Sequence, residues 1–393
     1  MPIDIAFADR IQQLPPYLFA DIDRQKKEKA AELARAGSAL IDLGIGDPDV
    51  ATPADIVAAM QQAAAEARFH RYPSYEGMPA FREAAAGFYK QRFGVTLDPD
   101  REVVALIGSK EGIAHFPVAF VNPGDLVLVP DPGYPVYATW TRFMGGEVHY
   151  VRLRRENGFL PDLDAIPAEV ARRAKVLWIN YPNNPTAALA SRDFYRRMVE
   201  FAAKHNIIVA SDLAYSEIYY DREPPPSFLE VEGAREVGIE FHSLSKTYNM
   251  TGWRIGFAVG NAKLVAGLGK VKTNTDSGAF EAVQAAAVVA MRSPQAVVDE
   301  IRARYRERME ALVAGLRGGG FDVLSPRATF YCLIANPAGL SSVEFASRLL
   351  QAGVVGTPAN GFGPGGEGYV RLTVCAPVAT IREAVERIRR IRL

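Results

Sequence analysis

The chain has 393 residues, with 45 basic against 45 acidic side chains and a formal net charge of zero, which excludes the basic footprint of a general nucleic-acid or anionic-membrane binder. A hydrophobic fraction of 49% beside 23% charged residues excludes a disordered chain, and two cysteines, Cys332 and Cys375, are too few for a disulfide scaffold or a Cys-based zinc site. No stretch approaches the ~18 uncharged apolar residues of a membrane span, so the expectation is a soluble, cytoplasmic enzyme of two or three domains at roughly 150 residues each.

The first 45 residues hold an arm, Gln13–Phe19, and a helix rich in Lys and Glu, both expected to pack against the C-terminal part. Short β-branched runs then predict strands at Val103–Ile107, Leu126–Pro130, Val148–Leu153, Val176–Asn180, Ile207–Ser211, Phe241–Ser243 and Arg254–Val259. Amphipathic stretches between them, such as Ile113–Phe120, Val136–Phe143 and Ser191–His205, predict helices. Near-continuous apolar strands separated by helices predict an α/β fold with a mainly parallel sheet covered on both faces. In such sheets ligands bind beyond the carboxyl ends of the strands. The C-terminal third changes pattern: a long charged helix, about Val297–Leu316, precedes strands at Phe321–Leu324, Phe330–Ile334 and Tyr369–Val374. With helices at about Ser342–Ala352 and Ile381–Ile391 this is a smaller α+β domain. The expected division is therefore 1–45 as arm and helix, 46–290 as the large domain and 291–393 as the small one. Gly318–Gly320 and Gly361–Gly368 read as turns.

The richest run is FHSLSKTYNMTGWRIGF, Phe241–Phe257, with Ser243, Ser245, Lys246 and Arg254 at a strand end and in the loop beyond it. A lysine flanked by hydroxyls, with an arginine eight positions on, suits a covalently held cofactor that bears a phosphate. The amine forms an imine, while the hydroxyls and the planar guanidinium bind phosphate oxygens. VASDLAY puts Asp212 at another strand end, with Tyr215 three residues later; taken alone this Asp reads as a helix cap. INYPNNPT puts Asn184 after a third strand, where by itself it marks a turn. GSKEG, Gly108–Gly112, opens a helix whose free N–H groups make an anion site. It lacks the GxxxxGK[ST] spacing, and no GxGxxG follows a strand, so a nucleotide site is disfavoured. His70, His115, His149, His205 and His242 have no metal-ligand spacing and suit surface or packing roles, so no metal is expected. The Arg152–Arg155, Arg302–Arg308 and Arg387–Arg392 clusters read as solvated faces.

In chain order the motifs GIGDPD, YPSYEGMPAFREA, GSKEG, PDPGYPVY, NYPNNPT, SDLAY, SLSK…GWRIG and YVRLT resemble the class I/II branch of the fold-type I aminotransferases, which depend on pyridoxal 5′-phosphate. Asp212 and Lys246 stand thirty-four positions apart, as in that family. The resemblance spans essentially the whole chain and implies a seven-stranded, mainly parallel large-domain sheet. It implies that Lys246 holds the cofactor as an internal aldimine and, once freed, carries the proton between the substrate Cα and the cofactor. Asp212 then pairs with the pyridine nitrogen and keeps it protonated, and Asn184 and Tyr215 bond the 3′-oxygen. Tyr134 stacks on the ring. Ser109, the Lys110 backbone, Ser243, Ser245 and Arg254 hold the phosphate. Tyr72 reaches the phosphate from the neighbouring subunit, which makes the active form a homodimer. Arg371 grips the substrate α-carboxylate, and Gly44 or Gly46 lies in the segment that closes over the substrate.

Ala187 stands where the family often has Gly, and no motif marks the arginine that binds a distal carboxylate in aspartate-type enzymes. GSKEGI, the arm QLPPYLF and KTNTDSGAF (Lys272–Phe280) are more similar to the LL-diaminopimelate aminotransferases. That resemblance implies ping-pong transfer from LL-2,6-diaminopimelate, in lysine biosynthesis, to 2-oxoglutarate. Tyr17, Glu76, Lys110 and Asn274, from loops expected to border the pocket, are the candidates for its distal ammonium and carboxylate. Aspartate, alanine, N-succinyl-diaminopimelate and aromatic donors remain alternatives. So does a pyridoxal-phosphate β-lyase or cyclase, which could share Lys246, Asp212 and Arg371. A non-catalytic regulator would need an added DNA-binding helical domain and a basic surplus, and neither is expected here.

Overall fold

The structure is a computed structural model that describes residue 3, residues 5–12 and residues 19–391; residues 13–18 of the arm, with Tyr17, lie outside the described residues. A helix over Phe19–Arg35 leads to a two-residue strand, β1 (Ile41–Asp42). The main sheet is built from β2 (Val103–Leu106), β3 (Leu126–Asp131), β4 (Glu147–Arg152), β5 (Ala174–Asn180), β6 (Ile208–Asp212), β7 (Gly238–Ser243) and β8 (Gly256–Gly260). Its seven strands lie in the order β2-β8-β7-β6-β5-β3-β4. Neighbours are parallel except around β8, which runs antiparallel to both β2 and β7. Because of that reversal, Gly256 at the start of β8 pairs with Leu106 and Ser243 at the ends of its neighbours. The loop that carries Arg254 therefore arrives at the edge where the other strands finish.

Side chains alternate along these strands into two separate cores, as the pleat requires. Val103, Ala105, Leu177, Ile179, Phe257 and Val259 face one core, which the helices Pro79–Phe93, Arg192–His205 and Glu281–Arg292 complete. Val104, Leu106, Val176, Trp178, Phe241 and Ala258 face the other, covered by Ser109–Phe120, Val136–Phe143 and Ala262–Lys272. Both faces being dry explains why these strands read as continuous apolar runs rather than alternating ones.

The smaller unit holds β9 (Tyr331–Ala335), β10 (Val354–Val355), β11 (Thr357–Pro358) and β12 (Tyr369–Thr373). β11, β12 and β9 form an antiparallel sheet, while β10 pairs in parallel with β1. Helices Gln295–Gly318, Ser342–Gln351 and Val378–Arg389 cover it over a core that includes Leu312, Phe330, Leu349, Leu372 and Ile388. Phe321–Leu324 is not a strand: it contributes a single bridge between Val323 and Ile334. Pro326, two residues beyond it, has no N–H with which to extend the pairing.

Two arginine clusters are not simply solvated faces. Arg308 is buried and donates to both carboxylate oxygens of Asp49, at 2.6 and 2.9 Å, and to the Val374 carbonyl. Arg387 donates to the carbonyls of Ala39 and Gly353 and to Ser38 Oγ. A helical charge pattern records only neighbours along the helix, whereas the partners here come from distant parts of the chain. Ser38, Ala39 and Asp49 belong to its N-terminal end, and Gly353 and Val374 border the strands of the smaller unit. Among the described residues no helix is long and apolar enough to cross a membrane.

The Arg308–Asp49 pair yields a stability prediction. Asp49→Ala strands a buried guanidinium and should destabilise the protein by about 3 kcal/mol. Arg308→Met should cost less, because the Asp49 carboxylate is a quarter exposed and can be hydrated. Urea denaturation midpoints of the two variants check the order.

Candidate active site

The carboxyl edge of the main sheet opens into a cavity of ≈480 Å³. Ser109, Lys110, Tyr134, Asn184, Asp212, Tyr215, Ser243, Ser245, Lys246 and Arg254 line it from the larger unit, and Gly46, Tyr331, Phe362 and Arg371 close the remaining walls.

One end is an anion cup. Helix Ser109–Phe120 begins there with its free N–H groups, and Gly108 precedes it at φ +75°. A Cβ on Gly108 would come within 2.5 Å of the Arg254 guanidinium, so glycine lets that cation lie against the helix start. Arg254 itself has φ +55° and is held by a bond to the Thr251 carbonyl. Ser243 Oγ accepts from the Ser245 N–H at 3.2 Å, which fixes the turn between β7 and Lys246. The cup combines hydroxyls, backbone N–H groups and a guanidinium, a donor set that suits a phosphate.

At the centre, Asp212 ends β6 with its side chain buried. Oδ2 accepts from the Tyr137 hydroxyl at 2.7 Å, while Oδ1 is buried with no partner among the described residues. Burial pushes this carboxyl up to about 6, against the opposing effect of the Tyr137 and Ala214 hydrogen bonds. An orphaned buried carboxylate oxygen facing a cavity demands a donor, and a protonated ring nitrogen supplies one. The pocket thus fits pyridoxal 5′-phosphate at both its ends. Lys246 Nζ lies 3.4 Å from the Gly46 carbonyl, and burial pushes its pKa down. Asn180 Nδ2 donates to the Asp212 carbonyl at 2.7 Å, and its Oδ1 accepts from the Asn184 N–H, so the ends of β5 and β6 are tied together.

Arg371, on β12, reaches the same cavity from the smaller unit and is buried. One Nη donates to Asn184 Oδ1 and the other to the Gly44 carbonyl, each at 2.8 Å, while Nε has no partner among the described residues. Its guanidinium carbon lies 4.2 Å from the centre of the Tyr331 ring and 4.6 Å from that of Phe362. Gly44 thus meets Arg371 through its carbonyl, and Gly46 lines the cavity.

Three expected site residues are not gathered here. Tyr72 is 90% exposed, and neither it, Glu76 nor Asn274 lines the cavity of this chain. Glu76 is exposed and contributes its carbonyl to the Ala105 N–H, while Asn274, just past the end of helix Ala262–Lys272, donates to the Lys270 carbonyl in its last turn. Loops that follow helices on the outer face turn away from the edge where the strands finish. The segment after Lys272 is instead anchored by a half-buried cluster around the buried Lys272 amine, which pairs with Glu111 at 3.0 Å and Asp276 at 3.2 Å, and His115 bonds Glu111. Conversely, Tyr137, Asn180, Tyr331 and Phe362 belong to the site although none of them has a role assigned from sequence: Tyr137 closes PDPGYPVY and Asn180 opens NYPNNPT, but only their neighbours read as functional. Asn180 carried the one readable signal, a polar residue closing an apolar strand.

A phosphate-type cup, a lysine and a buried aspartate at adjacent strand ends, and an arginine from a second unit define an enzyme that works on amino-acid carbons with a phosphorylated cofactor. The chain belongs to the aminotransferase class I and II family, whose model matches residues 38–388. It is 56% identical over 388 residues to the LL-diaminopimelate aminotransferase of Aquifex aeolicus, covering 98% of this chain and 99% of that protein. The enzyme of the same name from Syntrophobacter fumaroxidans is 56% identical over 385 residues, 98% of each chain. Among solved structures, substrate-bound BacF from Bacillus subtilis superposes with a TM-score of 0.93 at 37% identity over 98% of both chains. Thermus thermophilus aspartate aminotransferase with maleate gives 0.90 at 30% identity, over 99% of this chain and 100% of that one.

The Asp212 environment sets a pH dependence. A carboxyl raised from 3.8 to about 6 stabilises the cofactor-free fold at low pH and loses that contribution as the pH rises through 6. Asp212→Asn, which stays neutral, should therefore resist urea better than the cofactor-free parent at pH 8, by up to about 3 kcal/mol. The difference should vanish near pH 4. Glu240, also pushed up to about 6 by burial, is common to both proteins and cancels in the comparison.

Proposed function

We propose that this protein is a pyridoxal-phosphate-dependent aminotransferase that moves an amino group from LL-2,6-diaminopimelate to 2-oxoglutarate, working as a homodimer. The observation that carries the chemistry is the unpartnered, buried Oδ1 of Asp212 in the cavity that also holds Lys246 and Arg371. The donor rests on the near full-length identity of 56% with enzymes named for it.

Bound pyridoxal phosphate supplies an electron sink for charge that develops at the substrate Cα. Asp212 keeps a proton on the ring nitrogen, with Tyr137 holding the other carboxylate oxygen in place. Asn184 and Tyr215 bond the ring oxygen, and Tyr134 covers the ring. Ser109, the Lys110 N–H, Ser243, Ser245 and Arg254 hold the phosphate. Lys246 would hold the cofactor covalently, and its amine would carry the proton at the substrate Cα; burial favours the neutral amine this requires. Arg371 exchanges its contacts with Asn184 and Gly44 for the α-carboxylate, which it binds as a fork, and so fixes the angle of the Cα–H bond. The larger unit, 46–290, thus holds the cofactor, and 291–393 with 1–45 brings the carboxylate grip. Lys110 serves the distal end of the donor within the chain. Tyr72, exposed and away from its own cavity, serves the cavity of the second subunit, while Tyr17, Glu76 and Asn274 are the further candidates for the distal end of the donor.

Two measurements test this reading. Lys246→Ala should lose turnover by several orders of magnitude yet retain pyridoxal phosphate without the covalent link, because the phosphate contacts remain; absorbance after dialysis reports the retention. Normal turnover by this variant would overturn the assignment. In a donor screen with 2-oxoglutarate, LL-diaminopimelate should exceed aspartate, alanine and phenylalanine in kcat/KM by at least roughly tenfold, since groups that pair a distal ammonium are left unsatisfied by simpler donors. Glu76→Ala should damage that reaction more than any residual aspartate activity. If aspartate or alanine leads the screen, the donor is wrong and the amino transfer stands.

A further inference from the structure

Tyr331 sits where the two halves of the cavity meet. It starts β9, is buried, and is fixed by register with Thr373 and by its N–H bond to Thr329 Oγ1. Its hydroxyl lies 3.0 Å from the hydroxyl of Tyr215, and its ring lies under the Arg371 guanidinium at 4.2 Å. The N-terminal segment passes directly over it: a Cβ on Gly46 would come within 2.3 Å of the Tyr331 hydroxyl oxygen. One side chain thus touches the cofactor-side tyrosine, the carboxylate-side arginine and the covering segment.

We propose that Tyr331 is a positioning residue that orients the Tyr215 hydroxyl toward the cofactor and holds the Arg371 guanidinium ready for the substrate carboxylate. The inference rests on the cofactor reading given above. When Tyr215 donates its proton to the cofactor ring oxygen, its own oxygen is left to accept, and the Tyr331 hydroxyl is a donor within reach. Linked hydrogen bonds polarise one another, so this donation makes Tyr215 the stronger donor and favours the ionised ring oxygen. Burial keeps the Tyr331 hydroxyl protonated for that role by pushing its pKa up. Its ring face stabilises the guanidinium from one side, while the two Nη groups keep the neutral partners Asn184 and Gly44, which a carboxylate can replace. A carboxylate or amide in place of the ring would take up those N–H groups.

The test uses the full-length protein loaded with pyridoxal phosphate. Tyr331→Phe keeps the ring and removes the hydroxyl. It should raise the pH midpoint of the bound cofactor's visible absorption change by roughly half to one unit, with the donor KM within about twofold of the parent. Tyr331→Leu removes the ring face as well and should show the same midpoint shift. It should also weaken the binding of maleate, a dicarboxylate probe, by roughly five- to tenfold. Tyr215→Phe combined with Tyr331→Phe should shift the midpoint no further than Tyr215→Phe alone, a non-additivity that a merely structural role would not produce. A Tyr331→Phe protein that titrates like the parent overturns the inference, as does a Tyr331→Leu protein that binds maleate as tightly as Tyr331→Phe. A parent protein that takes up no pyridoxal phosphate overturns instead the cofactor reading on which the inference rests.

Discussion

A carboxylate held in a dry place governs this molecule. Asp212 ends β6 between two other strands, and ionising it there costs several kcal/mol unless a donor meets each oxygen. Tyr137 meets one oxygen and the cavity offers nothing to the other. Much of the surrounding core exists to keep that arrangement rigid. Tyr137 is stacked on Trp178, with ring centres 4.7 Å apart, and Trp178 packs in turn on Phe241 and Phe116. The Asn180 side chain ties the end of β5 to the Asp212 carbonyl. A site with an unmet hydrogen-bonding demand is primed for a ligand that satisfies it.

The second requirement is that a distant part of the chain reach the same cavity. Arg371 comes from the smaller unit, and the segment from Leu43 to Asp49 binds the two units together at that point. Leu43 accepts from the Thr373 N–H, Gly44 from Arg371 and Thr357, Ile45 from Thr373, and Asp49 from Arg308. On the larger unit, Thr52 donates to the Asn249 carbonyl. Asp131 adds a further link, since its buried carboxylate accepts from both Arg152 and the Gly365 N–H across the two units. The Arg371 guanidinium is therefore held by one backbone carbonyl, one side-chain amide oxygen and two aromatic faces rather than by fixed acidic partners.

Most of the site was legible because its residues follow apolar strands in recognisable runs. Asp212, Asn184, Ser243, Lys246 and Ser109 each stand at or just beyond a strand end, and an α/β sheet gathers its strand ends on one edge. Tyr137 was hidden inside the amphipathic helix Val136–Phe143, where its spacing marks it as a packing residue, and Tyr331 was hidden in an apolar strand. Glu76 and Asn274 were placed at the pocket by motif, yet within one chain they point elsewhere. The buried state of Arg308 was masked in the same way by the charged helix around it.

By itself, the sequence determined the alternation of strands and helices, the family and the candidate site residues that follow the strands, because these depend on local periodicity and on motifs that are contiguous in the chain. Only the tertiary structure decided that β8 runs against its neighbours and brings Arg254 to the shared edge. It alone decided that one oxygen of Asp212 is satisfied and the other is not. It also decided that Tyr331 joins Tyr215 to Arg371, residues more than a hundred positions apart in the chain. Hydrogen-bond satisfaction and desolvation depend on what the folded chain brings within a few ångströms, and no local pattern carries that information.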